Sequence, residues 1–93
     1  MYVVRDIFNT KPGKAKELVA KFKKVIPEME KGGFKCRVMT DIVAAYWTVV
    51  VEVQTESLEK YFAPQARNPE MEEAMKGYME LLNGGHREIF KVE

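Results

Sequence analysis

The segment Ala45–Val53, AYWTVVVEV, constrains the fold of this chain more than any other stretch. Its β-branched and aromatic residues read as a strand, and a strand sends alternate side chains to opposite faces. One face then carries Trp47, Val49, Val51 and Val53, and the other carries Tyr46, Thr48 and Val50 before reaching Glu52. Both faces are largely apolar. Tyr2–Phe8 has the same character, with Val3 and Ile7 on one side and Tyr2, Val4 and Phe8 on the other. A sheet with one wet face alternates cleanly between apolar and polar residues, and these strands do not. Both faces of the sheet must therefore be covered.

The remaining chain supplies helices for one face only. After Asn9-Thr10-Lys11-Pro12-Gly13, residues Ala15, Leu18, Val19, Phe22, Val25, Ile26 and Met29 recur at helical spacing, with Pro12 placed to open the helix. Pro27 falls inside that stripe, so a kink or a new short turn is expected there, and Gly32-Gly33 ends the segment. Phe34–Ile42 reads as the second strand, turning at Val43-Ala44 into Ala45–Val53. Thr55 is placed to cap a short helix through Tyr61 or Phe62, stopped by Pro64. Asn68-Pro69-Glu70 starts a further helix through Met71, Ala74, Met75, Tyr78, Leu81 and Leu82. Asn83-Gly84-Gly85 is expected to close that helix, and His86–Val92 to form the last strand.

The order is β-α-β-β-α-β within 93 residues, too few for two independent cores. The expectation is one domain, residues 1–93, of the α+β class: a four-stranded antiparallel sheet with helices on one face. The second face must then meet another sheet. An identical subunit related by a twofold axis is the simplest donor, so the expected partner is the protein itself.

Several partner and site classes drop out on composition. The net charge of +1 gives no general argument for nucleic acid or membrane partners. Residues 1–41 hold ten Lys/Arg against five Asp/Glu, but Lys14, Lys16, Lys21, Lys23 and Lys24 read as a solvated helix face. Cys36 is the single cysteine, which excludes an intrachain disulfide and a cysteine-based metal site. No apolar run reaches the roughly 20 residues needed to span a bilayer, and no signal peptide is evident, so a cytoplasmic location is expected. There is no phosphate-binding glycine loop, GxSxG, HExxH or paired-carboxylate motif, and no metal or cofactor is expected.

The pattern as a whole resembles the dimeric α/β-barrel superfamily, in which two ferredoxin-like protomers pack their sheets face to face. Within it, the chain looks most like NIPSNAP-type and antibiotic-biosynthesis-monooxygenase-type domains. The residues that carry the resemblance are Lys11-Pro12-Gly13-Lys14, then Phe22 and Pro27, Thr55-Glu56-Ser57-Leu58, and Asn68-Pro69-Glu70. In monooxygenases of this kind the pocket lies between sheet and helices. The haem-degrading branch is marked by an Asn on the first strand, a Trp in the short helix and a His on the second helix. The matching positions hold Asp6, Phe62 and Met75, so the resemblance does not extend to haem degradation.

Two functional readings follow. One is a homodimer that binds a small apolar or aromatic molecule between sheet and helices, lined by Val4, Trp47, Phe62, Met75 and Tyr78. The other is a cofactor-independent monooxygenase or isomerase acting on an aromatic or quinol-like substrate, with Asp6 as the catalytic base. Asp6 would be a base if it faces the helices from an apolar pocket, and structural if paired with a cation or capped by backbone. Arg5, on the opposite face, is expected to meet Glu52 across the strands or across the dimer. Cys36 reads as a small buried hydrophobe, His86 as solvent-facing, and Met71, Met75 and Met79 as core filling or an adaptable apolar lining.

Overall fold

The computed structural model describes residues 1–93, with the side chain of Gln65 left aside. Four strands form one antiparallel sheet: β1 (Tyr2–Thr10), β2 (Lys35–Thr40), β3 (Thr48–Thr55) and β4 (Leu82–Lys91), in the order β2-β3-β1-β4. Helix α1 (Ala15–Lys31) joins β1 to β2, and α2 (Leu58–Phe62) and α3 (Pro69–Met75) lie between β3 and β4. The β-α-β-β-α-β order and the ferredoxin-like arrangement are as the pattern implies. No helix among the described residues is long and apolar enough to cross a membrane.

The register sorts the side chains into two faces. Val4 stands opposite Val53 on β3 and Ile89 on β4, and Val53 stands opposite Cys36 on β2. These side chains, with Phe8, Val49, Val51 and Val38, face the helices. All but Ile89 pack there with Leu18 and Phe22 of α1, Phe34, and Leu81 in and against the core. The other face carries Val3, Arg5 and Ile7 of β1 against Gln54, Glu52 and Val50 of β3, with no helix over it.

Each helix end has a local cause. Gly33 has φ +93°, and Phe34 and Gly33 donate backbone hydrogen bonds to the carbonyls of Met29 and Glu30. This paired arrangement closes α1 on a left-handed residue that a side chain would strain. Asn68 caps α3, its side-chain oxygen accepting from the Met71 amide at 2.9 Å, a contact that contributes about 1 kcal/mol.

Five expectations need correction. Helix α1 runs as one element through Pro27 instead of breaking. The cap of α2 is Ser57, whose Oγ accepts from the Lys60 amide, while Thr55 stays in β3 and its Oγ1 accepts from the Ser57 amide. The helix expected to reach Leu82 stops at Met75, because Gly77 turns left-handed at φ +79°. A short 3-10 turn over Tyr78–Leu81 follows, and Asn83-Gly84-Gly85 lie inside β4. Gly85 fits there because a Cβ would stand 2.7 Å from the Ile7 carbonyl oxygen.

The fifth correction concerns the hairpin. Neither strand reaches the expected turn, and residues 41–47 form a loop. Its ends are tied by contacts outside the loop: the Thr10 amide and Oγ1 both donate to the Trp47 carbonyl, at 2.9 and 2.8 Å. The Asp41 carboxylate accepts from the Thr48 amide at 3.0 Å. Tyr46 and Trp47 are thereby held at φ +63° and +54°, at a cost of about 1–2 kcal/mol each for residues with a Cβ. Tertiary hydrogen bonds override the strand propensity of the pair.

Glu52 is the most tightly held charge in the sheet. Its side chain is 4% exposed, with Arg37 Nε at 2.7 Å from Oε2 and Arg5 Nε at 2.9 Å from Oε1. Burial pushes its carboxyl up, but the hydrogen bonds and charges of Arg37 and Arg5 outweigh this and hold it below the usual range. A depressed carboxylate contributes stability that is present above its unfolded pKa, about 4.3, and lost as pH falls through the folded value. Urea denaturation at fixed protein concentration should therefore show stability declining below about pH 4. Glu52→Gln should cost about 1–3 kcal/mol at pH 7 and flatten that decline. Identical acid profiles in the two proteins would remove Glu52 as the cause.

Candidate functional site

The helix-facing side of the sheet is unevenly covered. Helix α1 packs over β2 and β3 and against α3, whereas Ile89 of β4 remains exposed on that side. The uncovered strip along β1 and β4 is where the polar side chains of this face gather.

Asp6 faces the helices from the middle of β1, directly opposite Arg87 of β4 and Val51 of β3. Arg87 grips it with two hydrogen bonds, Nε to Oδ1 at 2.6 Å and Nη2 to Oδ2 at 3.3 Å. The hydrogen bond that Arg87 donates to Asp6 raises its pKa against the opposing effect of burial, so this guanidinium is a fixed cation. Among the described residues, the hydrogen bonds of the Arg87 side chain all go to Asp6, which leaves N–H donors turned to solvent.

Aromatic rings bracket the pair. The Arg87 guanidinium lies 5.5 Å from the centroid of the Phe62 ring, within cation–π range. Phe62 meets Tyr61 edge-on at 5.0 Å, and Tyr61 meets Phe34 edge-on at 5.8 Å. Tyr78 meets Phe8 edge-on at 6.3 Å. Burial raises the Tyr61 phenol pKa, and the negative charge of Asp6 adds to the rise, so Tyr61 stays protonated as a donor near neutral pH.

The expected lining residues divide into three groups. Asp6 and Phe62 come together through Arg87, and Met75 and Tyr78 pack at the edge of the same core. Val4 is fully buried beneath the helices and shapes the floor without being open to solvent. Trp47 lies elsewhere. It sits in the 41–47 loop, 46% exposed, beside a separate open cavity of about 640 Å³ lined by Ala15, Val19, Tyr46 and neighbouring loop residues. Strand alternation placed Trp47 on the sheet, and the loop removes it.

Sequence reasoning passed over Arg87 and Tyr61. The signal for Arg87 was present, since it and Lys91 are the two basic residues in the last strand that share the parity of Ile89. Its pairing with Asp6 depends on the β1–β4 register, which the misplaced start of the last strand obscured.

His86 stands opposite Ile7 on the open face, away from Asp6, so the only histidine cannot ligate a haem on the helix side. The residues present therefore do not fit a histidine-ligated haem. Among the described residues, no three His, Cys, Asp or Glu side chains converge as metal ligands. Cys36 faces the helices beside Met29, with its sulfur 3.9 Å from the Met29 sulfur.

Against known proteins, the fold is shared widely and the sequence is not. No protein-family model matches the chain, and no curated protein matches it by sequence. Among solved structures, a NIPSNAP family protein from Agrobacterium tumefaciens superposes with a TM-score of 0.82 at 12% identity, covering 99% of this chain and 92% of that one. A putative antibiotic biosynthesis monooxygenase from Deinococcus radiodurans gives 0.78 at 10% identity, covering 100% and 93%. A mutant of MhuD with two manganese protoporphyrin IX molecules bound per active site gives 0.74 at 18%, covering 99% and 94%. The chain thus has the fold of the NIPSNAP and antibiotic-biosynthesis-monooxygenase domains that its pattern resembles.

Burial, with Glu30 adding to it, pushes the Cys36 thiol up to about 11. At pH 8 the native thiol should react with a disulfide reagent about 100-fold more slowly than in urea, where a free cysteine titrates near 8.5. Equal rates would show that Cys36 is an accessible thiolate.

Proposed function

We propose that this protein is a cytoplasmic homodimer that binds a small aromatic molecule bearing a carboxylate, carbonyl or phenol oxygen, in the strip between sheet and helices. The observation that carries the reading is the Asp6–Arg87 pair under Tyr61, Phe62 and Tyr78, at a part of the helix side left open. A purely structural ion pair needs neither the aromatic bracket nor unspent N–H donors. A planar ligand gains stacking area from the rings and a charge-assisted hydrogen bond from Arg87. Asp6 in turn accepts from a hydroxyl or N–H on the ligand.

Dimerisation is supported by the second face of the sheet. Val3, Ile7, Met39, Val50 and Phe90 lie there with no helix above them. At about 25 cal/mol per Å², covering a few hundred Å² of this surface contributes several kcal/mol to a small domain. A second copy supplies that cover without any other chain.

A second reading shares the site: cofactor-independent oxygenation or isomerisation of a quinol-like substrate, with Asp6 taking the hydroxyl proton and dioxygen as oxidant in the oxygenation. Its support is the position of Asp6 on the helix side beside a protonated Tyr61. Because Arg87 already occupies both carboxylate oxygens, binding is the reading we favour.

Native mass spectrometry of the purified protein should give a mass of two chains, with or without a small-molecule increment, and a monomer alone would overturn the dimer. Arg87→Met should weaken binding of hydroxylated aromatic acids by at least about tenfold while leaving the dimer intact, since a charge-assisted hydrogen bond contributes about 1.5–3 kcal/mol. Unchanged affinity would move the ligand away from Arg87. If quinols are turned over, Asp6→Asn should abolish turnover, and unaltered turnover would remove Asp6 as the base.

A further inference from the structure

The open face of the sheet is crossed by a row of alternating charge. Arg37 of β2 stands opposite Glu52 of β3, Glu52 opposite Arg5 of β1, and Arg5 opposite Glu88 of β4. Read across the sheet, the row is plus, minus, plus, minus. It lies between two rows with apolar content: Met39, Val50 and Ile7 with His86 on one side, and Val3 and Phe90 with Lys35 and Gln54 on the other. Glu52 is saturated, since both of its carboxylate oxygens are held by arginines, while the Arg5 side chain stays 42% exposed. The outer members are open as well: the Arg37 side chain is 64% exposed, and Glu88 is 41% exposed with His86 Nε2 at 3.3 Å from its Oε2.

Such a row matches itself in one orientation only. If the twofold axis of a face-to-face dimer runs along the strands, β2 of one protomer lies over β4 of the other, and β3 over β1. Each arginine of the row then meets a glutamate of the partner's row. If the axis runs across the strands, β2 lies over β2 and like charges face each other. Removing ions from water costs several kcal/mol per ion unless opposite charges compensate, so the second arrangement is strongly disfavoured.

We propose that the Arg37–Glu52–Arg5–Glu88 row is a self-complementary charge key that fixes the dimer axis parallel to the strands, pairing Arg37 of each protomer with Glu88 of the other. This rests on the homodimer reading above and specifies the geometry of its interface. The flanking apolar rows supply the attraction, and the charge row selects the orientation. Packed sheets lie roughly 10 Å apart, so residues on facing rows come within reach of a short bis-maleimide.

The test keeps all four charges of the row, and His86→Cys removes only the His86 contact to Glu88 at 3.3 Å. With the axis along the strands, Met39 of one protomer lies near His86 of the other. The double variant Met39→Cys/His86→Cys should give a covalent two-chain species with the bis-maleimide, and each single variant should not. Within one protomer the two positions are three strand spacings apart, roughly 14 Å, and a link there would not double the mass. Native Cys36, half-buried with its thiol pushed up to about 11, should leave the unsubstituted protein uncrosslinked. Sedimentation equilibrium adds a sign: Glu88→Gln should raise the dimer Kd about tenfold by removing the partner of Arg37. Cross-linking by Met39→Cys alone, no cross-linking in the double variant, or a tighter dimer in Glu88→Gln would overturn the axis assignment. A monomer by sedimentation would instead overturn the homodimer reading on which it rests.

Discussion

The register of β1 against β3 is the constraint on which the other features depend. Arg5 stands opposite Glu52, and that pairing carries Val4 onto Val53 and Asp6 onto Val51. A slip of one residue would turn Val4 out of the core and point Arg5 into it, exchanging the two faces of the strand. Two independent forces hold the register: burial of Val4, Val49 and Val53 beneath the helices, and the grip of Arg5 and Arg37 on Glu52 from the other side. Hydrophobic burial is non-directional, whereas the paired guanidiniums act at fixed positions.

From that register the two proposed binding surfaces separate by parity. Even positions of β1 put Asp6 beside Arg87 under the aromatic bracket, and odd positions put Arg5 in the charge row. Each surface uses arginine in a different way. Arg87 presents a forked donor set at an open strip, suited to a ligand that arrives and leaves. Arg5 and Arg37 enclose a carboxylate that is almost wholly buried, suited to a permanent contact. The proposed ligand strip lies between sheet and helices, but a fold of this kind hosts many activities. The case for a ligand therefore rests on Asp6, Arg87, Tyr61 and Phe62, and not on the superposition.

Several places where sequence reading and structure part are places where a non-local partner decides. Tyr46 and Trp47 have the propensity of strand residues, yet Thr10 takes the Trp47 carbonyl and pulls both residues into a left-handed loop. The spacing of Tyr78, Leu81 and Leu82 continues a helix, yet Gly77 allows a reversal and β1 offers Leu82 a strand partner at Thr10. Gly84 and Gly85 look like a turn in isolation, and inside the sheet Gly85 is small enough to lie beside Ile7 and Phe8. Arg87 went unnoticed for the same reason, because a residue in a displaced strand has no visible partner.

Sequence alone determined the order of elements, the double-sided apolar strands and the helical stripe of α1, and it placed Arg5 and Glu52 as partners across the strands or across the dimer. These follow from periodicity and parity, which are properties of neighbouring residues on one chain. Only the tertiary structure decided where the hairpin loop opens, where the last strand begins, and that Asp6 meets Arg87 rather than an apolar pocket. Those outcomes depend on hydrogen bonds and ion pairs between segments up to 81 residues apart, whose energies no local pattern encodes.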